Sequence, residues 1–307
     1  MSALPTAPPL VQAVEPPARL RIREKIGALV TLFKLRVVAL LLLAAFCGLI
    51  LAAGGMPSPG SAVLLLVAGG MSAAGASAIN QYLERERDGL MERTGRRPLP
   101  QGQIGRPRRV LLAGTALVIF AILVALPFNP SLALFVFLGA AIYVGVYTLW
   151  LKPRTLTNIV IGGVAGSCAV LSGSAAAGNW ADPGALLLAV VVFAWTPTHF
   201  WSLALAYRDD YGRVGVPMLP VQTTPRRAAA WILLHTVLTA WAALALVSRP
   251  SLGPIYLSLA GAASLWLWQR SIRLLRRPNR ERAMALFVAS NAYLGLILLA
   301  AGLETLG

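Results

Sequence analysis

Three oxygen-bearing side chains recur at i, i+4 and i+8 in the string Asn80-Gln-Tyr-Leu-Glu84-Arg-Glu86-Arg-Asp88. On an α-helix this spacing sets Asn80, Glu84 and Asp88 on one face, about 12 Å from end to end at a rise of roughly 1.5 Å per residue. The string begins at the end of a long apolar segment, where carboxylates are costly unless a cation uses them. Such oxygens suit Mg²⁺, which takes one or two carboxylates and completes its shell with water and substrate phosphate. A second acidic pair, Asp209 and Asp210, stands in Tyr207-Arg208-Asp209-Asp210-Tyr211. Arg93, Arg97, Lys152 and Arg208 are candidates to take the remaining charge of a diphosphate. Two acidic clusters and these cations predict a site where an allylic diphosphate ionises as its leaving group is neutralised. The competing reading is that the carboxylates pair with neighbouring arginines at a helix end.

The elements that must position these groups are membrane helices. Of the 307 residues, 57% are hydrophobic and only 12% charged, with a mean hydropathy of +0.71. A soluble chain averages about 25% charged residues. The apolar stretches are continuous and near the length a bilayer requires, without two-residue alternation, so helices rather than a β-barrel are expected. Nine segments are predicted, near 37–55, 61–82, 110–126, 131–150, 157–177, 184–206, 228–247, 251–269 and 284–303. With the N-terminus in the cytoplasm, 26 of the 27 Lys and Arg fall on the cytoplasmic side and only Arg249 falls outside. That asymmetry fits nine crossings with the C-terminus outside. It also accounts for the net charge of +16 without invoking nucleic acid.

The first 17 residues are rich in proline and read as a disordered tail. Residues 18–36, with Arg19, Arg21, Arg23, Lys25, Lys34 and Arg36 among apolar positions, read as a helix on the membrane surface. The expected organisation is a disordered and basic interfacial tail over 1–30 and one helical domain over 31–307. Cys47 and Cys168 lie in apolar segments and read as small buried hydrophobes. His199 lies two to three turns before Asp209; at membrane depth it reads as functional, imidazole being a common haem-iron ligand, or as a His hydrogen-bonded to a neighbouring helix. His235 reads as structural.

The pattern Asn80-x-x-x-Glu84-x-x-x-Asp88 resembles the first motif of the UbiA superfamily of intramembrane prenyltransferases. The longer string to Met91-x-Arg93-Thr94-x-x-Arg97 is similar to its haem O synthase branch. So are Tyr147-Thr148-Leu149-Trp150-Leu151-Lys152, Pro197-x-His199-Phe200-Trp201 and Asp210-Tyr211 through Pro217-Met218-Leu219-Pro220. The resemblance implies an all-α integral membrane fold with nine transmembrane helices around a central cavity. It implies Mg²⁺-dependent transfer of the farnesyl group of farnesyl diphosphate to the 2-vinyl group of haem b, giving haem O. The implied partners are these two substrates, membrane lipid, and haem A synthase or terminal oxidase assembly, in the plasma membrane of a prokaryote. By the same resemblance Asn80, Glu84 and Asp88 hold the first metal–diphosphate group, and Asp210 with Asp209 the second. Arg93, Arg97, Lys152 and Arg208 contact diphosphate, and His199 serves the acceptor. The chain departs from the pattern at Gly166–Ser174, where the family carries a Pro-Pro pair and Gly-Trp; this segment is expected to line the cavity. The nearest alternative is a quinone-precursor or chlorophyll-type acceptor.

Overall fold

Apolar segments with proline at their first turn become long helices. Prolines at positions 59, 107, 130, 183, 225 and 254 each open one, where the missing N–H has no intrahelical partner to lose. Ser58, Asn129, Asp182 and Thr224 cap four of these starts with side-chain oxygens. The structure, a computed structural model, describes residues 21–307. The expected disordered tail over 1–17 lies outside the described residues. Among the described residues all regular structure is helical.

In chain order the helices are α1 (Ile22–Leu32), α2 (Leu35–Ala53), α3 (Pro59–Gly89), α4 (Pro107–Ala125) and α5 (Pro130–Ala141). A π-helical stretch, Ile142–Leu151, continues α5. Then come α6 (Asn158–Gly162), α7 (Val164–Ala176), α8 (Pro183–Ala206), α9 (Arg208–Arg213) and α10 (Leu219–Gln222). The chain closes with α11 (Pro225–Ala245), α12 (Pro254–Arg276) and α13 (Arg280–Leu306). Eight spans are long and apolar enough to cross a membrane: α2, α3, α4, α5 with its π stretch, α6–α7, α8, α11 and α13. The other expected crossing, α12, has the length but ends in Gln269, Arg270, Arg273 and Arg276. It lies antiparallel to α13: Tyr256 N–H donates to Glu304 at one end, and Arg282 donates to the Arg273 carbonyl at the other.

Helix α8 is the most enclosed, packing against α2, α7, α11 and α13. Small residues let α2 and α7 approach closely. A Cβ on Gly173 would stand 1.7 Å from the Ala45 carbonyl oxygen, and one on Gly48 would stand 2.4 Å from the Val170 carbonyl oxygen. The 166–174 segment, expected to line the cavity, meets α2 at backbone distance through Val170 and Gly173. It is a helix-crossing surface, with Ser167 donating to the Ala189 carbonyl of α8, in the manner of small-residue packing in membranes.

Candidate active site

The polar cluster forms where α3 outruns its apolar segment. The expected helix ended near residue 82; the observed one runs 31 residues to Gly89. Asn80, Glu84 and Asp88 therefore share one helix, and all three are buried while Glu86 and Arg87 are exposed. The i, i+4, i+8 reading holds, with the inward face turned to the π-helical stretch and to the loop that follows α3.

Each oxygen on that face has a cationic partner. Lys152 Nζ donates to Glu84 Oε1, and Arg97 donates to Asp88 Oδ2 at 2.6 Å. Lys34 Nζ donates to Asn80 Oδ1 at 2.7 Å and to the Tyr143 hydroxyl at 2.9 Å. The Asn80 amide in turn donates to Thr148 Oγ1 at 3.0 Å. The π-helical winding of residues 142–151 is part of this arrangement: Thr148 Oγ1 donates to the Tyr143 carbonyl at 2.8 Å. One wide turn brings Tyr143, Thr148 and, just beyond its end, Lys152 to the same helix face; such bulges are frequent at functional sites.

The second cluster divides. The Asp210 carboxylate is buried, accepts from the Arg93 backbone N–H at 3.2 Å and lies 3.4 Å from an Arg213 nitrogen. Arg93 also reaches the Tyr211 hydroxyl at 3.3 Å. The loop after α3 thus meets Asp210 through Arg93. Asp209 is not part of this contact. It is exposed, and with Asp210, Arg208, Arg213 and Glu92 it lines an outer polar cleft of about 310 Å³. Arg208 is likewise spent on the Thr223 carbonyl, 3.1 Å away. Successive residues at the start of α9 point about 100° apart, so only one of the two acids can face inward.

Two functional residues were not legible as such. Lys34 read as one of six basic residues on an interfacial helix. In the structure that helix stops at Leu32, and Lys34 adopts φ 49°, ψ 45°, the left-handed region. This is the one positive φ of a non-glycine residue among those described. The turn carries its ammonium inward, while α1 leaves Ile22, Ile26 and Leu29 exposed. Tyr143 offered no signal in sequence, because a run of apolar and aromatic residues does not reveal a π turn. Electrostatics mark both lysines. Burial, aided by Arg97, pulls Lys34 down to about 7 against the attraction of Glu84. Burial also opposes the charge on Lys152, but Glu84 and Tyr211 outweigh it and hold its pKa above the usual lysine value.

His199 stands apart from this cluster. Trp195 and Phe287 cover its two faces at ring separations of 4.4 Å, and Nδ1 is 2.9 Å from Ser290 Oγ. That is an interhelical stack joining α8 to α13, with Nδ1 engaged by Ser290. His235 packs edge-on against Trp201, consistent with a structural role.

The arrangement can do one thing well: hold a polyanion. Lys34, Arg93, Arg97 and Lys152 surround three buried carboxylates and an amide. Arg93 Nε is buried with no partner among the described residues, a donor waiting for an acceptor. The carboxylate oxygens are hard donors of the type Mg²⁺ takes. No three acidic, His or Cys groups stand together among the described residues as a ready metal cage, so a phosphate ester would complete any coordination shell.

Residues 41–297 match the UbiA prenyltransferase family. The chain belongs to this family. Within it, the chain is 43% identical over 279 residues to protoheme IX farnesyltransferase 2 of Paramagnetospirillum magneticum, covering 91% of this chain and 96% of that protein. It is 40% identical over 304 residues to protoheme IX farnesyltransferase 1 of Saccharopolyspora erythraea, covering 97% and 96%. The family fold recurs in solved structures. A digeranylgeranylglyceryl phosphate synthase superposes with a TM-score of 0.75 at 17% identity, covering 92% of this chain and 99% of the other. A UbiA homologue from Archaeoglobus fulgidus bound to GPP and Mg²⁺ superposes with a TM-score of 0.60 at 18% identity, covering 89% and 99%. The UbiA fold thus places the predicted acidic face of α3 in a membrane prenyltransferase.

Proposed function

We propose that this prenyltransferase moves the farnesyl group of farnesyl diphosphate onto the 2-vinyl group of haem b, giving haem O for terminal oxidases. The observation that carries the diphosphate half is the set of half-buried cations on buried oxygen-bearing side chains: Lys34 on Asn80, Lys152 on Glu84 and Arg97 on Asp88, with Arg93 on Asp210. The acceptor half is supported by relatives near 40% identity over almost the whole chain.

Asn80, Glu84, Asp88 and Asp210 are the residues that would hold Mg²⁺, which when bound neutralises charge on the departing diphosphate. Arg97 and Lys152, now paired to carboxylates, turn with Lys34 and Arg93 to the diphosphate oxygens and stabilise the charge that grows as the C1–O bond breaks. Diphosphate leaves with the bonding electron pair. The vinyl π electrons of the acceptor form the new bond to C1, and water adds to the resulting cation with loss of a proton. Tyr143 and Tyr147, whose rings stack with centroids 6.0 Å apart beside the lysines, offer π faces to an allylic cation. Asp209 and Arg208 belong to the outer cleft, where they meet substrate on its way in.

The same reading takes α12 as a ninth crossing, because a helix antiparallel to α13 along its length shares its depth. The N-terminus is then cytoplasmic and the C-terminus outside, in the plasma membrane of a prokaryote, where haem A synthase or an oxidase assembly factor would receive the product. The test is a haem extract from a haem-O-deficient host expressing the chain, beside Asp88→Ala. A new haem bearing a hydroxyethylfarnesyl group, absent with Asp88→Ala, is expected. A well-folded chain that yields none refutes the acceptor.

A further inference from the structure

A second cleft lies away from the diphosphate cluster. It is a groove of about 850 Å³ between α12 and α13, closed at one end by Tyr207. One wall is a single face of α13. Met284, Val288 and Ala292 lie four residues apart there, with Ala285 and Ala289 beside them, making a shallow apolar strip about 12 Å long. The facing wall includes Trp266 of α12. Val288 is 60% exposed, so this strip faces whatever surrounds the bundle.

The end of the groove is cationic. Arg270 of α12 lies over the Trp266 ring at 5.8 Å, and Arg280 of α13 lies over the Tyr207 ring at 5.0 Å. Stacking in this way fixes a guanidinium plane while leaving its N–H edge available to an anion. Arg270 has no carboxylate within ion-pair reach among the described residues. Arg280 has only Glu92, 3.9 Å away, with both side chains more than 60% exposed, a contact of little strength. One acid, Glu281, also lines the groove. Arg280 and Tyr207 also border the outer polar cleft, but Arg270, Trp266 and the α13 strip do not, and the diphosphate cluster has four cations of its own. The groove therefore fits a molecule with an apolar body and its own anionic head. Both arginines belong to the basic loop 270–283, the side of the membrane where anionic headgroups attract clustered Lys and Arg.

We propose that this groove is a binding site for one anionic phospholipid of the cytoplasmic leaflet. Its phosphate lies between Arg270 and Arg280, and an acyl chain lies along Met284, Val288 and Ala292. Tyr207 ties the site to the catalytic face, because its other neighbour is Arg93, whose guanidinium lies 5.9 Å from the ring and whose backbone N–H holds Asp210. A bound lipid would thus brace the α12–α13 hairpin against the start of α9.

The test uses the full chain, purified in mild detergent and exchanged into nanodiscs of phosphatidylcholine with or without phosphatidylglycerol. Native mass spectrometry after release reads the retained lipid. The expected result is a single phosphatidylglycerol adduct favoured over phosphatidylcholine at equal mole fraction, by on the order of fivefold per arginine. In Arg270→Gln/Arg280→Gln that preference falls to near one, while Arg276→Gln/Arg277→Gln, which removes the same charge from the same loop outside the groove, keeps it. Equal loss in both double variants would mean a diffuse surface potential and overturn the site. So would an unchanged preference in Arg270→Gln/Arg280→Gln, or displacement of the adduct by haem or by farnesyl diphosphate. A circular dichroism melt within a few degrees of the parent checks that each variant is folded.

Discussion

Replacing Lys34 by Met separates the chemistry of the site from its architecture. The ammonium makes two hydrogen bonds, 2.7 Å to Asn80 and 2.9 Å to Tyr143. In the folded protein without substrate, their loss leaves the Asn80 oxygen without that donor, which costs about 1–3 kcal/mol. Removing a buried charge works in the opposite direction, and Met fills much of the same volume, so the fold should survive with a melting temperature lower by only a few degrees. Turnover should not survive intact. If Lys34 moves onto the diphosphate as its charge grows, losing one preorganised donor costs about 2.7–4 kcal/mol, or roughly 10²–10³-fold in kcat. Lys34→Arg should recover part of the rate, since it keeps the charge but changes the geometry. Lys34→Gly is the informative control. It releases the left-handed strain at φ 49°, worth about 1–2 kcal/mol, yet lacks the ammonium, so it should melt no lower than Lys34→Met and be equally slow. The assay is diphosphate release at saturating farnesyl diphosphate and haem in nanodiscs. A folded Lys34→Met enzyme with kcat within threefold of the parent would refute the assignment of Lys34 to the leaving group.

Asp210→Asn should lower kcat by about 10²-fold or more, whereas Asp209→Asn should stay within about threefold, since only Asp210 is buried against Arg93; steady-state rates of the two variants decide it. Inorganic diphosphate binding in EDTA should weaken as pH rises above about 7, because burial and Arg97 depress the Lys34 pKa to that value and the anion requires the charged form; calorimetry should show this limb in the parent and lose it in Lys34→Met. The sign for stability is opposite: the lysine is neutral in the folded protein but still protonated when unfolded between pH 7 and 10.5, so the substrate-free protein gains stability across that window. Gly173→Ala should lower the melting temperature, because its Cβ would stand 1.7 Å from the Ala45 carbonyl and force α2 and α7 apart at a cost of about 1–3 kcal/mol. Gly295→Ala, with nothing within 4 Å of the new methyl, should be neutral or mildly stabilising.

Much of this protein was legible from its sequence because the relevant physics is local. A bilayer demands long uninterrupted apolar helices, so eight spans announce themselves by length and composition. Helical periodicity alone put Asn80, Glu84 and Asp88 on one face, and the structure keeps them there. Lys152, Arg93, Arg97 and Asp210 were candidates by chemical type; the fold brings Lys152 and Arg97 to that face and joins Arg93 to Asp210.

What local rules do not carry is the direction a side chain takes once helices pack. Asp209 and Asp210 are chemically equivalent in sequence, and only the docking of α9 against the loop after α3 decides which is buried. The small residues of 166–174 are expected at a cavity wall, and their backbone contact with α2 is set only once the helices pack. Nothing in the sequence signals that His199 is held between Trp195 and Phe287, the latter 88 positions later in the chain. Lys34 shows the limit most clearly. Its charge is plain in the sequence and its spacing suited a membrane-surface helix. A left-handed turn at one residue, held by hydrogen bonds to Asn80 and Tyr143 far along the chain, makes it part of the site. Composition and period settle which segments enter the membrane and which helix face is polar. Long-range packing, which has no signature in any single window of sequence, settles which charges meet.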